Sequence, residues 1–399
     1  MRFSGYTRLW ADRRVRVLFV SAFFARIPNM AIPLVLTLLV VEKLDGTYAQ
    51  AGIVAAAETI GAAIGAPWRG WLIDRIGLRR ALIPSIIAVA LIYPAAAFAT
   101  YAWLVPLAFL AGLFLIPIFT VVRLALAVMV EEEQRRVAFA ADAIVAEASF
   151  LVGPAAGALL ATQASPGVAI ATVGVCEVLS GLMIYWLNPP LRSIQDPSMP
   201  VIASPRRWAT APVMLVFLIS AGTMAALMGT DLAIIAELRE LGAVDSIWLV
   251  FLFWGVSSLL GGVVYGALPA SIQPTHLLLA LGLLTIPVGL GTEVWSLALW
   301  VIPAGLMCAP TMTAAAEVLT KLVPEDRRGE AMGWQGTAFT LGAAASAPLI
   351  GASIDGLGAW GGFLVGGAVA TVVALMAYGR SLAPRVAQIE PRVAQIRRP

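Results

Sequence analysis

Five ionisable side chains lie inside long apolar runs of this sequence: Arg26, Glu58, Arg123, Glu147 and Glu177. Four of them lie about ten residues from the nearest polar boundary, which at a rise of about 1.5 Å per residue is about 15 Å. Arg123 lies slightly closer to its boundary, at about 12 Å. These depths correspond to the middle of a hydrocarbon layer about 30 Å thick, where each charged side chain costs about 2.5 to 3.5 kcal/mol to insert. Because charged side chains are so costly to insert at this depth, these five residues are functional candidates.

The chemistry that these side chains could perform is proton transfer. A buried carboxylate without a cationic partner favours its neutral form, so it can take up and release a proton. Three carboxylates against two arginines leave one carboxylate over. We predict that Glu58 or Glu147 carries the proton, with Glu177 in the same group, and that Arg26 and Arg123 exchange partners as it moves. The alternative is a set of static ion pairs that hold the first six helices together.

The elements that position these residues are membrane-spanning helices. Hydrophobic residues make up 60% of the chain and charged residues 12%, and the mean hydropathy is +0.90, which places it outside the soluble globular range. The pattern predicts an all-α integral membrane protein. Apolar runs bounded by charge, glycine or proline place twelve helices near 15–41, 48–73, 80–99, 103–130, 137–162, 167–188, 211–237, 245–269, 276–291, 295–322, 329–354 and 359–380.

The basic residues indicate an orientation in the bilayer. Arginines precede the first span and recur in alternate loops, whereas the opposite loops carry only Lys43 and Arg239. By the positive-inside rule both termini are cytoplasmic, in the inner (plasma) membrane of the cell. This placement explains the net charge of +3 without a nucleic-acid partner. One histidine and two cysteines do not supply a metal cluster, and no cofactor is expected.

The chain divides into two halves of six spans. We predict an N-terminal bundle at 1–188, a cytoplasmic linker at 189–210 with several prolines, a C-terminal bundle at 211–380 and a disordered cytoplasmic tail at 381–399. A weak internal repeat supports the division. Glu133-Gln-Arg-Arg136 precedes the fifth span, and Glu325-Asp-Arg-Arg328 precedes the eleventh.

A charged turn joins the second and third spans. It reads Gly70-Trp-Leu-Ile-Asp74-Arg75-Ile-Gly77-Leu-Arg79-Arg80 and resembles the signature found at this position in the major facilitator superfamily. The resemblance implies two pseudo-symmetric six-helix bundles that transport a solute by alternating access. It also implies that Asp74 contacts the start of the eleventh helix near Gly329 and that the whole turn takes part in gating. The corresponding stretch of the second half, Gly262 to Gly266, has no charges.

Two further features resemble the drug/proton antiporters of that superfamily. Arg123 resembles an arginine that proton-coupled members carry on the fourth helix. Gly153 and Pro154 lie in a stretch, Gly153-Pro-Ala-Ala-Gly157, that resembles the core of a fifth-helix signature associated with export, although Ser149 and Ala158 replace glycines. The resemblance implies a gating role for Gly153 and Pro154, while close packing of two helices is the alternative.

Adaptable apolar side chains predict the substrate class. The second half places methionines and a tryptophan where this superfamily lines its cavity, and the first half adds aromatic, amide and methionine side chains. The candidates for substrate contact are Phe23, Asn29, Met30, Phe119, Met224, Met228, Trp300 and Met307. Such residues favour a bulky, partly apolar ligand over a sugar, although any one of them could be packing.

We therefore expect a monomeric secondary transporter that exports a hydrophobic or amphipathic small molecule in exchange for protons, with lipids as its surroundings. The alternatives are a transporter of a sugar or organic anion, with Arg26 and Arg123 binding substrate charge, and a membrane sensor or scaffold that has lost transport. An enzyme is not expected, because no loop holds a set of convergent polar side chains.

Overall fold

A computed structural model describes residues 4–192, 208–243 and 246–378, and these residues form helices joined by short connections, without strands. A bilayer offers the backbone no hydrogen-bonding partners, so long apolar segments bond within themselves as helices. The first half contains α1 (Ser4–Ala11), α2 (Arg13–Leu38), α3 (Tyr48–Ile76), α4 (Leu78–Phe98), α5 (Tyr101–Leu113), α6 (Ile118–Met129), α7 (Arg135–Gln163) and α8 (Pro166–Leu187). The second contains α9 (Ala211–Glu240), α10 (Ile247–Ala267), α11 (Pro274–Thr285), α12 (Val294–Leu322), α13 (Arg328–Leu357) and α14 (Ala359–Tyr378).

Within the described ranges, eleven segments are long and apolar enough to cross a membrane. The shorter apolar helix Pro274–Leu290 is the twelfth, so the predicted twelve-span, all-α architecture is confirmed. One span differs from the prediction, because the helix expected at 103–130 is broken into α5 and α6. Pro117 explains the break, since a proline lacks a backbone N–H and disfavours helical backbone in the residue before it.

Local signals in the sequence fix the ends of α3. Thr47 and Gln50 form a reciprocal pair of hydrogen bonds that caps its N-terminus. At its C-terminus Gly77 adopts a φ of +81°, a conformation that glycine tolerates and other residues rarely adopt. The chain then turns directly into α4, which begins at Leu78.

The chain forms two compact units whose boundaries cut across the two halves. The first comprises Met1–Trp208, Leu259–Ser271 and Ala316–Leu341, and within it α2 packs on α7, α3 on α5, and α4 on α8. The second comprises Ala209–Ser258, Ile272–Ala315 and Gly342–Pro399, and within it α14 packs on both α9 and α11. The predicted division at 188 and 211 stays a prediction, and most of the linker and all of the tail lie outside the described residues.

Small residues allow the close crossing of α3 and α5. A Cβ added at Gly61 would lie 2.0 Å from the carbonyl oxygen of Phe109, and one added at Gly112 would lie 1.9 Å from that of Glu58. Without glycine at these positions the two backbones would have to separate. This crossing brings Glu58 and the break in the fourth span close together.

Candidate functional site

Arg26, Asp142 and Arg123 form a buried charge cluster, which we call the arginine cluster. Asp142 on α7 accepts from Arg26 on α2, with 2.6 Å between Oδ1 and Nη2. Its other oxygen, Oδ2, lies 3.5 Å from Nε of Arg123 on α6. The ring of Phe119 stacks on Arg26, with its centroid 4.3 Å from Cζ. One carboxylate therefore serves two guanidinium groups, of which Arg123 alone is partly exposed, at 14% of its side chain.

Asp142 was not predicted from the sequence, which had Arg26 and Arg123 exchange partners as Glu58 or Glu147 takes up and releases a proton. Asp142 lies six residues after Arg136, close to the charged boundary of the fifth span. The signal that could have identified it is its position inside an otherwise apolar stretch, Val137 to Val145. Glu147 lies further along α7 and is half-buried.

Glu58, Arg69 and Glu177 form a second buried set, which we call the glutamate cluster. Arg69 lies on α3, is 4% exposed, and interacts electrostatically with Glu58 on the same helix and Glu177 on α8. Glu177 is fully buried. The amide of Asn29 on α2 is a hydrogen-bonding neighbour of its carboxylate, and Tyr93 on α4 interacts with it electrostatically.

This cluster includes one predicted substrate residue and one unpredicted cation. Asn29, predicted to contact substrate, lies beside Glu177, and its contact with a substrate stays a prediction. Arg69, which directly precedes Gly70 of the charged turn, was not predicted as a buried charge. The count of three carboxylates and two arginines was therefore wrong, because Arg69 and Asp142 make it four carboxylates and three arginines.

The charged turn after α3 contacts the start of α13, within the first unit. The backbone N–H of Gly329 donates to Oδ1 of Asp74 at 3.1 Å, and that of Glu330 donates to Oδ2 at 2.8 Å. The first backbone N–H groups of a helix have no partner inside it and carry partial positive charge, so a carboxylate is favoured there. The predicted contact of Asp74 with Gly329 is confirmed. Its role in gating stays a prediction.

Close packing accompanies this contact. A Cβ added at Gly70 would lie 2.1 Å from the carbonyl oxygen of Gly329. Two turns back along α3 from Gly70, Thr337 of α13 donates to the carbonyl oxygen of Ala63 at 2.6 Å. The two helices therefore meet backbone to backbone over this length. We call this the α3–α13 contact.

The arginines of the turn face the rest of the first half. The guanidinium of Arg75 lies 5.1 Å from the ring of Trp71. Nε of Arg79 donates to the carbonyl oxygen of Tyr185 at 3.1 Å, and Arg80 is exposed. Arg75 and Arg79 therefore contact residues of the first half, whereas Asp74 reaches α13.

Gly153 and Pro154 lie where α7 packs on α2. A Cβ added at Gly153 would lie 2.6 Å from Cβ of Met30 and 2.7 Å from the carbonyl oxygen of Ile27. Pro154 lies inside α7, which continues through it to Gln163. The geometry shows close packing at this stretch, and it leaves the gating role as a prediction.

The uncharged stretch Gly262 to Gly266 of α10 contacts the N-terminal helix. The hydroxyl of Tyr6 on α1 donates to the carbonyl oxygen of Val263 at 3.1 Å and lies 3.4 Å from that of Gly262, within the first unit. Burial raises the pKa of Tyr6 to about 12, so the phenol keeps its proton and remains a donor at physiological pH. Tyr6 thus supplies a polar contact where the second half has no charged turn.

The other substrate candidates fall in both units. Phe23 is half-buried, with its ring 5.4 Å from that of Phe24, and Phe119 and Met30 have the contacts given above. In the second unit, Met224 and Met228 are half-buried on α9. On α12, Met307 packs against the apolar core, while Trp300 is 39% exposed. Their contact with a substrate stays a prediction.

Comparison with known proteins identifies a family. A sequence model of the Major Facilitator Superfamily matches residues 18–291 and 274–396. A search of curated proteins gave no match.

Three solved structures illustrate the similarity of fold. The human organic anion transporter MFSD10 (TETRAN) is 16% identical with a TM-score of 0.71, over 92% of this chain and 100% of its own. A bacterial homologue of the iron transporter ferroportin, in an outward-facing state, is 16% identical with a TM-score of 0.72 over the same shares. The proton:xylose symporter XylE is 14% identical with a TM-score of 0.70, over 91% and 95%. At such identities the likeness establishes the fold alone.

Proposed function

Because this chain belongs to the Major Facilitator Superfamily, we propose that it is a proton-coupled secondary transporter that exports a hydrophobic or amphipathic small molecule. The family and its fold indicate a transporter rather than an enzyme. Transport in this fold moves one six-helix half against the other around a site near the bilayer midplane.

The observation that carries proton coupling is the state of Glu177. Its carboxyl group is fully buried, with the amide of Asn29 and the phenol of Tyr93 among its polar neighbours. Burying an ionised carboxylate is costly, so a buried carboxyl group is suited to bind and release a proton as its surroundings change. Glu58 interacts with Glu177 and Arg69, so a proton leaving Glu177 has a second acceptor and a cation in the same cluster. A group of this kind can change protonation when its surroundings change during transport.

The α3–α13 contact supports alternating access. Asp74 can accept from Gly329 and Glu330 only while the end of α3 and the start of α13 are together. By the positive-inside rule this end is cytoplasmic, so the contact favours the state that is closed on the cytoplasmic side. Opening that side requires the two hydrogen bonds to break.

The soft side chains of α9 and α12 support a hydrophobic or amphipathic substrate. Met224, Met228 and Met307 have unbranched side chains that adapt to ligands of different shape, and Trp300 offers a large amphipathic surface. We propose that each of these side chains contacts the substrate, as do Phe23, Asn29, Met30 and Phe119, in a monomer surrounded by lipid.

The test is transport in proteoliposomes with an imposed pH gradient. Ethidium, an amphipathic cation, serves as the first probe, and an internal pH dye reports proton movement. We expect ethidium flux to stop when the gradient is collapsed, and proton movement to be lost in Glu58→Gln, Glu147→Gln or Glu177→Gln. Unchanged proton-driven flux in all three variants would exclude these carboxylates as the coupling groups. Flux that ignores the gradient in the native protein would exclude proton coupling.

A second candidate substrate is an organic anion, and the arginine cluster favours it. Two guanidinium groups share Asp142, and the partly exposed Arg123 could bind an anionic group of the substrate. The same vesicles loaded with carboxyfluorescein test this candidate. Uptake or export of this dye that is lost in Arg123→Gln, with no flux of ethidium, would favour the organic anion over the first proposal.

A further inference from the structure

The fourth span is discontinuous in the middle of the membrane. α5 ends at Leu113 and α6 begins at Ile118, although both belong to one membrane-length segment, Tyr101–Met129. Leu113 lies about 18 Å along the helix from Tyr101, close to the bilayer midplane. The corresponding helix of the second half, α12, runs without a break from Val294 to Leu322. The break is thus a feature of the first half.

A helix that ends in the membrane leaves carbonyl oxygens without partners. The last carbonyl groups of α5 point along its axis and carry partial negative charge, and burying them unpaired costs free energy. In the connection, the N–H of Leu115 donates to the carbonyl oxygen of Gly112 at 3.2 Å. A carbonyl oxygen has two lone pairs, so it can accept a second hydrogen bond.

Arg69 donates this second hydrogen bond. Its Nη1 donates to the carbonyl oxygen of Gly112 at 2.8 Å and also to that of Leu113. Gly65 makes the room, because a Cβ there would lie 2.5 Å from Nη1 of Arg69. With 4% of its surface exposed, Arg69 places a permanent positive charge against the carbonyl end of a half-helix.

The hydrogen bonds of Arg69 go to neutral carbonyl groups, while its charge is balanced at longer range. Glu58 and Glu177 are the two carboxylates that interact with it electrostatically. The groups facing these carboxylates are Asn29 of α2 and Tyr93 of α4, together with Cys176 next to Glu177 on α8. Arg69 is the cation among them. The arginine cluster is satisfied separately by Asp142.

We propose that the carbonyl end of α5, Glu58 and Glu177 form an intramembrane site for a small cation, and that the guanidinium of Arg69 is its resident occupant. Carbonyl ends of discontinuous helices and buried carboxylates bind cations in membrane transporters. Here the cation is the side chain of Arg69, a residue of α3. This site deepens the proposed function and rests on it in one respect. If Glu58 and Glu177 exchange protons during transport, Arg69 is the residue that positions them, in place of Arg26 and Arg123.

Removing the side chain of Arg69 tests the site without a transport assay. In Arg69→Ala the site is empty of its side chain, and guanidinium ion should re-enter it. We expect millimolar guanidinium chloride to raise the thermal midpoint of purified Arg69→Ala saturably, by about 2 °C. Urea, which has the same shape without the charge, and sodium chloride at equal ionic strength should not do so.

The matched controls are the native protein and Arg239→Ala, which removes an exposed arginine at the end of α9. Guanidinium should not stabilise either of them. An equal response of Arg69→Ala and Arg239→Ala would overturn the proposal. So would an equal response of Arg69→Ala to urea.

Conservative variants keep the proposal testable where Arg69→Ala does not fold. Arg69→Lys keeps the charge and Arg69→Gln removes it at similar size, so the thermal midpoint should fall less in Arg69→Lys than in Arg69→Gln. The loss caused by Arg69→Gln should shrink in a Glu58→Gln/Glu177→Gln background, because the charge to be balanced is gone. Equal losses in both backgrounds would show that Arg69 serves the carbonyl groups alone. If the stability results are as expected but the protein shows no proton-coupled transport, the proposed function is rejected and the cation site is still supported.

Discussion

Asp142 shows how a single residue can organise a buried charge cluster. Its two oxygens serve different helices, with Arg26 of α2 on one and Arg123 of α6 on the other. Arg26 is fully buried, so its charge depends on this one carboxylate and on the ring of Phe119. Breaking one partner of a buried pair leaves the other charge without compensation, which costs more than the pair itself contributes.

Asp142→Asn should therefore lower stability strongly. The change keeps the shape and removes the charge, so we expect the free energy of unfolding to fall by about 3 to 5 kcal/mol. Thermal or denaturant unfolding in detergent measures this loss. The control is Asp45→Asn, an exposed acid at a positive φ that asparagine also tolerates. Equal stability of the two variants would contradict the importance of the cluster.

Helix α3 links the glutamate cluster to the α3–α13 contact. It carries Glu58 and Arg69 in the glutamate cluster and Asp74 in the α3–α13 contact. Glycines on it allow close approach to α5 and to α13. A helix packed this closely moves as a unit, so a displacement of α3 at one region is transmitted to the other.

The α3–α13 contact can be opened by adding one methyl group. Gly70→Ala places a Cβ 2.1 Å from the carbonyl oxygen of Gly329, so the helices must separate. Gly52→Ala is the matched control, because it lies on the same helix and has no atom within 4 Å of the added Cβ. We expect Gly70→Ala to lower the thermal midpoint and Gly52→Ala to leave it unchanged or slightly raised.

Asp74→Asn should weaken the same contact by removing its charge. The measurement is the distance between spin labels at the exposed positions 14 and 326, in a background where Cys176 and Cys308 are replaced by serine. The distribution should shift to longer distances in Asp74→Asn and Gly70→Ala. Asp355→Asn, an exposed acid at the far end of α13, should leave it unchanged. Identical distributions for Asp74→Asn and Asp355→Asn would remove the gating role.

For the whole molecule, the asymmetry of arginine between alternate loops predicts its orientation. Positions 14 and 42 are both exposed and lie at opposite ends of the first span, Arg13–Lys43, so they should face opposite sides of the membrane. In intact cells a membrane-impermeant maleimide should label a cysteine at position 42 and not one at position 14, with the native cysteines replaced. The reverse pattern would place the arginine-rich loops outside and overturn the cytoplasmic assignment of both termini.

The second asymmetry of the whole molecule lies between its halves. Both buried charge clusters lie in the first half, with their charges on α2, α3, α6, α7 and α8. The second half contributes methionines and tryptophan on α9 and α12. The buried charges and the soft apolar side chains are therefore concentrated in different halves of the chain.

The sequence by itself determined the twelve spans, their α-helical character and the turn at Gly77, because hydropathy and turn chemistry act between neighbouring residues. The resemblance carried by Gly70 to Arg80 also predicted the contact of Asp74 with Gly329. Only the tertiary structure decided which residues pair with the buried charges and where the side chain of Arg69 lies, at the break in the fourth span. Asp142 lies 116 residues from Arg26, and Gly112 lies 43 residues from Arg69. Such pairings depend on which helices pack together. The sequence of an apolar helix does not indicate which other helices pack against it, because their compositions are similar.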